Sequence, residues 1–582
     1  MKSLRRPILI FAGTILLLLI LLFGRLFYLQ VLHREEYTIA AERNRSRLVS
    51  SVAIRGTIYD RNMDVVAKDN PTYTVQIIPE ELKEAVLPRL SQILGMPVEE
   101  IQAKLVENKL PTWDPMPLRT GLAEEVVQKI AEQHLQLPGV ITQIEPERFY
   151  PYANLFSHLI GYTGAISAEE LAGLESEGYT GGDNIGKIGL EKAYEKTLRG
   201  EKGKQIIEVN AIGQPIRVLQ EIEQVPGKDL VLTLDLKLQQ KARQILVDNK
   251  MNGAIVCLSP QTGEILAMVS SPDFDPNSFV KGIQPKEYQT LLDARAFTAK
   301  TTQDRFPPGS TFKVVTTIAA LEEGVIDPET YYVDCKGFVE VGGRRFNCVG
   351  VHGRQDLVEA IANSCNSFFY TLALDVGPEK IAKWAGILGL DEVTGVDLAD
   401  EVHGVIPTPA WKEQLTGEPW YPGDTMNMGV GQGDVLVTPL ELAMVYATLA
   451  NGGTLYQPHL VREIRTFDGL PVQTVVPTLK REIPLSQRTL ALIREGMIRA
   501  TDRGTTQQIK PNGISVAAKT GTAQFTGEKQ DIWIAAYAPV EKPEIVVLLM
   551  DEYSKIPYGS YLAPFAHDLL DVYFAGKTGV TP

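Results

Sequence analysis

Val516-Ala517-Ala518-Lys519-Thr520-Gly521-Thr522-Ala523 begins as an apolar β-strand and ends in a lysine, two hydroxyls and a glycine. Glycine inside a strand permits close approach of another backbone. An extended peptide can therefore pair along such an edge. Lys519 supplies positive charge for a substrate carboxylate and lowers neighbouring pKa values. Lys-Thr-Gly-Thr is a specific string, expected by chance in about one chain in a hundred. The bland reading is a plain sheet edge, and the upstream motifs weigh against it.

The nearest of these is Ala362-Asn363-Ser364-Cys365-Asn366-Ser367, which leads into Phe368-Phe369-Tyr370. Ser364 could relay a proton and Asn366 could bind a peptide amide, although Ser-x-Asn alone is a common turn. Further upstream is Pro307-Pro308-Gly309-Ser310-Thr311-Phe312-Lys313-Val314-Val315. Pro and Gly break the chain there and an apolar helical run follows, so Ser310 stands at a helix start. Lys313 lies three residues on, one turn along the same face. A serine hydroxyl needs a base beside it to become a nucleophile. A lysine serves if burial depresses its pKa. Alone, Ser-x-x-Lys arises about twice by chance in a chain of this length, and Ser310 could be a simple N-cap. The order of the three motifs carries more weight than any one of them. Ser-x-x-Lys, Ser-x-Asn and Lys-Thr-Gly form the set of serine acyltransferases that react with β-lactams. Cys365 replaces the usual aspartate in the middle motif, so only its outer residues carry over.

The chain of 582 residues is too long for one core and predicts two or three domains. Its net charge of −14 argues against nucleic-acid binding. Residues 8–29 are nearly all apolar, interrupted by Arg25, and are long enough to span a bilayer. No small-residue cleavage site follows, which favours an uncleaved anchor over a signal peptide. Lys2, Arg5 and Arg6 place residues 1–7 in the cytoplasm and the remainder outside, as a single-pass membrane protein.

All four cysteines, 257, 335, 348 and 365, fall in the exported part. Cys335 and Cys348 flank a Gly342-Gly343 hairpin signal. They fit a disulfide, a pair of reduced thiols, or a zinc site with His352, although the spacing matches no standard zinc motif. His352 itself reads more simply as a loop residue beside the site, and Cys257 as buried filler.

Along the chain, residues 51–79 read as strands, 80–109 as helix, and 145–164 as extended and aromatic. The texture changes near residue 225. Leu230-Val231-Leu232-Thr233-Leu234 then reads as a strand and residues 236–249 as a helix. A hairpin follows through Ser259-Pro260-Gln261-Thr262-Gly263.

With these motifs in place, the chain resembles the class B penicillin-binding proteins, and the elongation type among them most. Arg55-Gly56-Thr57-Ile58-Tyr59-Asp60-Arg61-Asn62 resembles the family's first pedestal motif, with Met63 where glycine is usual. Arg148-Phe149-Tyr150-Pro151 and Gly189-Leu190-Glu191 resemble the second and third. Gly429-Val430-Gly431-Gln432-Gly433 is also family-like.

The resemblance implies an α+β multidomain fold. A transmembrane helix (8–29) precedes a mostly β pedestal with a helical insertion (30–225). A β-lactamase-like transpeptidase domain, a mixed antiparallel sheet with helices, spans 226–576, and 577–582 form a tail. It implies a peptidoglycan D,D-transpeptidase acylated at Ser310, with Lys313, Ser364, Asn366 and Lys519 completing the catalytic set. Thr520, Gly521 and Thr522 would bind substrate. Stem peptides, β-lactams and a RodA-type SEDS glycan polymerase are the implied partners, and no cofactor or metal is expected. Division- or sporulation-type transpeptidases, a D,D-carboxypeptidase, a β-lactamase and a non-catalytic wall-assembly scaffold are the alternatives.

Overall fold

The computed structural model describes residues 5–34, 46–107, 112, 115–209, 215–511, 513–524 and 529–575. The expected tail, 577–582, lies outside them, as does most of the expected cytoplasmic segment. The chain forms two compact units, Met1–Ile54 with Gly200–Pro226 and Arg55–Arg199 with Gly227–Pro582.

The smaller unit contains the apolar helix Arg5–Phe27, which runs into a single wider turn, Tyr28–Leu32. Within residues 7–32 an 18-residue stretch has a mean hydropathy of 2.7 and buries none of its side chains. That composition and length suit a bilayer and no water-facing surface. The same unit holds a three-stranded antiparallel sheet, with Gly203–Val209 between Ser46–Ser51 and Pro215–Ile222.

The larger unit is organised around a five-stranded antiparallel sheet. Its order is Ile265–Ser270, Gly253–Leu258, Ile545–Ser554, Gln530–Ala538 and Ala517–Gln524. Strand side chains alternate between faces, and here both faces are covered. Val256, Leu258, Leu548 and Met550 join one core with the helices Lys313–Glu322, Asn366–Val376 and Pro439–Asn451. Ile255, Cys257, Val547 and Leu549 join another with the helices Leu236–Asp248 and Ala563–Ala575. Burial on both faces explains why these strands read as unbroken apolar runs. Cys257 is the buried filler expected of it.

The expected hairpin and the helix after residue 235 are both present. The helical reading of 80–109 resolves into Leu87–Leu94 and Val98–Glu107, separated at Gly95-Met96-Pro97. The extended reading of 145–164 holds to Phe149, the end of the strand Val140–Phe149, and again from Thr163, in the strand Thr163–Ala165. Ala153–Phe156 and Ser157–Ile160 then form short helical turns, because Leu155, Phe156 and Leu159 recur at helical spacing and are buried together.

The three pedestal-like segments converge on one buried carboxylate. Glu191 accepts from Arg55 Nε at 2.6 Å and from Arg148 Nε at 2.7 Å. Arg148 also reaches Asp69, and Arg55 reaches Glu195. Burial pushes the Glu191 carboxyl up, yet the two guanidiniums together hold it below the usual carboxylate range. Gly56 is required beside this network, since a Cβ there would strike the carbonyl of Lys228.

Candidate active site

Ser310 lies in a tight turn, Gly309–Phe312, from which the helix Lys313–Glu322 continues. Pro308 occupies the cap position and no side chain caps the turn, so Ser310 is not an N-cap. Among the described residues its hydroxyl has no hydrogen-bond partner, and it is only partly buried. Gly309 takes φ +55°, and a Cβ there would lie 2.7–2.9 Å from the backbone of Thr522. Gly309 N–H donates to Gly431 O at 2.8 Å, and a Cβ on Gly431 would strike Gly309 O. Two glycines thus let three chain segments meet and set Ser310 against the Lys-Thr-Gly-Thr strand.

Lys313 is fully buried at the start of its helix. Its Nζ donates to Ser364 O at 2.8 Å, Ser364 Oγ at 3.3 Å and Asn366 Oδ1 at 2.6 Å. Burial pulls its pKa down to about 7, against the opposing pull of Cys348 and Cys365. Lys519, also fully buried, donates to Ser364 Oγ at 2.8 Å. Its pKa is driven well below the usual lysine value by burial and then by Lys313. The Ser364 hydroxyl therefore lies between two amines. Ser364 itself has φ +53°, a left-handed conformation that costs about 1 kcal/mol or more for a non-glycine residue. That conformation turns the chain so that Asn366 opens the helix Asn366–Val376 and faces Lys313.

Lys519, Thr520, Gly521 and Thr522 lie on the edge strand Ala517–Gln524. One side of this strand pairs with Gln530–Ala538; among the described residues no strand pairs with the other. That free edge can accept an extended peptide. Gly521 permits a close approach, as its sequence context suggests, but the nearest atoms belong to the protein itself. A Cβ there would lie 2.6 Å from Pro308 O and 3.0 Å from Thr311 Cγ2. Trp533 Nε1 donates to Pro307 O at 3.0 Å and fastens the nucleophile loop to the sheet.

Beneath the Ser-x-Asn motif is a cluster that the sequence showed only in part. The Gly342-Gly343 hairpin forms as expected, with Phe338–Val341 paired to Arg344–Asn347. Cys335 and Cys348 are both free thiols and not a disulfide. His352 Nδ1 is 3.5 Å from each sulfur, and Cys365 Sγ is 3.9 Å from Cys348 Sγ. His352 lies in a loop beside the site, as expected, and is also part of the cluster. The contact with Cys365 pulls the Cys348 thiol down, the same contact and burial push the Cys365 thiol up, and Asn366 N–H donates to the Cys348 sulfur at 3.2 Å.

The ligand atoms of Cys335, Cys348, His352 and Cys365 lie within 4.8 Å of one another. Three thiols and one imidazole are the donor set of a structural zinc site, and these four residues could hold one tetrahedral ion. The sequence predicts no resident metal; three of the donors are recognisable there, and Cys365 reads only as a departure from the motif. Nothing in the spacing shows that Cys365 turns away from the active site while its two neighbours turn toward it.

The penicillin binding protein transpeptidase domain matches residues 253–571, and the penicillin-binding protein dimerisation domain matches residues 50–232. This chain belongs to the penicillin-binding protein family. The peptidoglycan D,D-transpeptidase MrdA of Acinetobacter baumannii is 33% identical over 96% of this penicillin-binding protein and 86% of the relative. Penicillin-binding protein 2 of Helicobacter pylori, solved in complex with MreC, superposes with a TM-score of 0.79 at 28% identity. It covers 91% of this chain and 100% of its own. A chain from a peptidoglycan synthase complex superposes at 0.73 with 31% identity, covering 99% of this penicillin-binding protein and 100% of its own length.

Proposed function

We propose that this protein is an elongation-type peptidoglycan D,D-transpeptidase that crosslinks stem peptides through an acyl-enzyme on Ser310. The observation that carries the reading is the hydrogen-bonded set of Lys313, Ser364, Asn366 and Lys519, with the turn that bears Ser310 packed through Gly309 against Thr522 of the edge strand. Ser310 Oγ attacks the carbonyl carbon between the two terminal D-alanines, and neutral Lys313 takes its proton. The N–H groups of Ser310 and Thr522 receive the developing oxyanion. The C–N bond breaks, and the departing D-alanine amine takes a proton from the Ser364 hydroxyl, which Lys519 or Lys313 replenishes. Asn366 holds the donor peptide, and Thr520 and Thr522 bind its terminal carboxylate. The amine of a second stem peptide then attacks the acyl carbon and gives its proton to Lys313, which passes it to Ser310 Oγ as the acyl–oxygen bond breaks. A β-lactam enters as the donor does and stays attached.

No step in this sequence needs a metal; an ion on the cysteine cluster would act by fixing the backbone of Ser364 and Asn366. The pedestal, 30–225, would hold the transpeptidase domain, 226–576, away from a membrane crossed by residues 8–29, with the N-terminus in the cytoplasm. A RodA-type SEDS glycan polymerase is the proposed partner, supported by the resemblance to elongation-type penicillin-binding proteins and by the relative from a peptidoglycan synthase complex that coordinates polymerization and crosslinking. An MreC-like protein is a second proposed partner, because the Helicobacter pylori relative was solved with one.

The test is mass spectrometry of the full-length protein after incubation with penicillin, with peptide mapping of the adduct. A stable adduct on Ser310 that is absent in Ser310→Ala is expected. Rapid hydrolysis of the adduct would replace the transpeptidase reading with a β-lactamase.

A further inference from the structure

Both hydroxyls of the Lys-Thr-Gly-Thr strand have a partner behind them that lies off the strand. Thr520 Oγ1 is 3.2 Å from Thr505 Oγ1. Gly559 N–H donates to Thr522 Oγ1 at 3.3 Å. An N–H can only donate, so Thr522 accepts from Gly559 and keeps its own proton for another acceptor. Thr520 and Thr505 are two hydroxyls in contact. Each carries one proton, and one proton suffices for the bond between them. The second stays available.

Thr505 is held firmly in place. It follows the helix Gln487–Asp502 through Gly504, where a Cβ would lie 2.6 Å from Ala362 O and 2.7 Å from Ala500 Cα. Thr506 N–H donates to Ala500 O at 3.0 Å. The Thr505 loop is therefore clamped against the segment that leads into Ser364, and its hydroxyl is brought to the edge strand. Gly559 is fixed in a similar way, since a Cβ there would strike Gly521 O and lie 2.6 Å from Trp533 O.

We infer that Thr505 is a positioning residue for the donor's terminal carboxylate, acting through Thr520. When an anion meets Thr520, the pair aligns in series: Thr505 O–H donates to Thr520 Oγ1, and Thr520 O–H donates to the carboxylate. A donor chain that ends on a charge is stronger than a single hydroxyl, because each bond polarises the next. The N–H of Gly559 does the same for Thr522 with a backbone group. The strand's two hydroxyls thus present two backed donors to one carboxylate. The inference rests on the acylation of Ser310 proposed above and adds a residue to its specificity for carboxylate-bearing substrates.

The test compares acylation of the full-length protein in detergent by benzylpenicillin and by its methyl ester, which lacks the anion. The ratio of the two rates reads recognition of the carboxylate. Thr505→Val keeps the shape and removes the hydroxyl. It should lower the ratio about three- to ten-fold, the size of one lost neutral hydrogen bond, and Thr505→Ser should restore it. A Thr505→Val protein that keeps the wild-type ratio, including one that slows equally with both probes, would overturn the inference while leaving Ser310 acylation intact. A wild type that forms no adduct with either probe would overturn both.

Discussion

Lys519 donates to the Ser364 hydroxyl across 2.8 Å. Lys313 approaches the same oxygen at 3.3 Å, and both amines are fully buried. Two ammonium groups on one hydroxyl in a water-poor pocket repel each other, and desolvation disfavours each charge. The arrangement therefore favours proton exchange over fixed pairing: one amine can hold the proton while the other is a base. Ser364 is the bridge, and its left-handed backbone places it there.

The first prediction concerns pH. The Lys313 pKa lies at about 7, lowered chiefly by burial. The base form is the unprotonated amine, so its fraction grows about ten-fold per pH unit below that value and levels off above it. Acylation of Ser310 by penicillin, followed by stopped flow between pH 5.5 and 8.5, should rise and then plateau around pH 7. Lys313→Arg keeps a cation that cannot give up its proton and should slow acylation by roughly 10²–10⁴-fold. A flat profile in the wild type would remove Lys313 from the role of base.

The second prediction concerns metal. Cys335, Cys348, His352 and Cys365 can close a tetrahedral site around one zinc ion. Elemental analysis of the purified full-length protein should find one equivalent per chain. Cys365→Ser, or prolonged chelation, should release the ion and lower thermal stability. A free ion at 1,000 times its Kd contributes about 4 kcal/mol, which is the scale of the loss expected. Because Cys365 is flanked by Ser364 and Asn366, acylation should fall along with stability. A protein that contains no metal and melts identically with and without chelator would show that the four residues simply pack as thiols.

Much of this was legible in the sequence, for identifiable reasons. Lys519-Thr520-Gly521-Thr522 could be placed on a strand because apolar residues precede it. Ser310 could be placed at a helix start because proline and glycine precede it and an apolar run follows. Helical turns after Phe149 were missed because Tyr150, Tyr152 and Phe156 favour strands in isolation, and burial of Leu155 and Leu159 overrides that preference. Contacts made across long stretches of chain left no local signal. Gly309 against Thr522, Gly431 against Gly309, and Thr505 behind Thr520 join segments that no periodicity links. Cys365 was visible as a letter, but its direction depends on the φ of Ser364.

The third prediction concerns the buried network. Glu191 accepts from both Arg55 and Arg148 and is fully buried. Glu191→Gln keeps the shape but leaves two guanidiniums without their shared anion. Breaking a buried pair in this way costs about 3–5 kcal/mol. Asp69 and Glu195 still offset part of the charge, so the lower end of that range is expected. Denaturant titration should show the loss, and a change below about 1 kcal/mol would mean that the network is dispensable.

The fourth prediction concerns Met63, which replaces the glycine usual in the segment it resembles. The turn keeps the geometry that glycine would adopt. Asp60 Oδ1 accepts from Asn62 N–H at 2.7 Å and Asp64 N–H at 2.8 Å, and Met63 takes φ +71°. A left-handed L-residue costs about 1–2 kcal/mol. Glycine removes that cost and gives back roughly 0.5–1 kcal/mol through its greater freedom in the unfolded chain. The side chain is 42% exposed, so little packing is lost with it. Met63→Gly should therefore raise stability by about 0.5–1 kcal/mol, read as a higher denaturant midpoint at unchanged slope. Met63→Val adds a β-branched side chain at the same φ and should lower it. If Met63→Gly destabilises instead, the methionine side chain makes a contact worth more than the strain, and Arg465, whose NH1 lies 3.6 Å from Met63 Sδ, is the residue to test next.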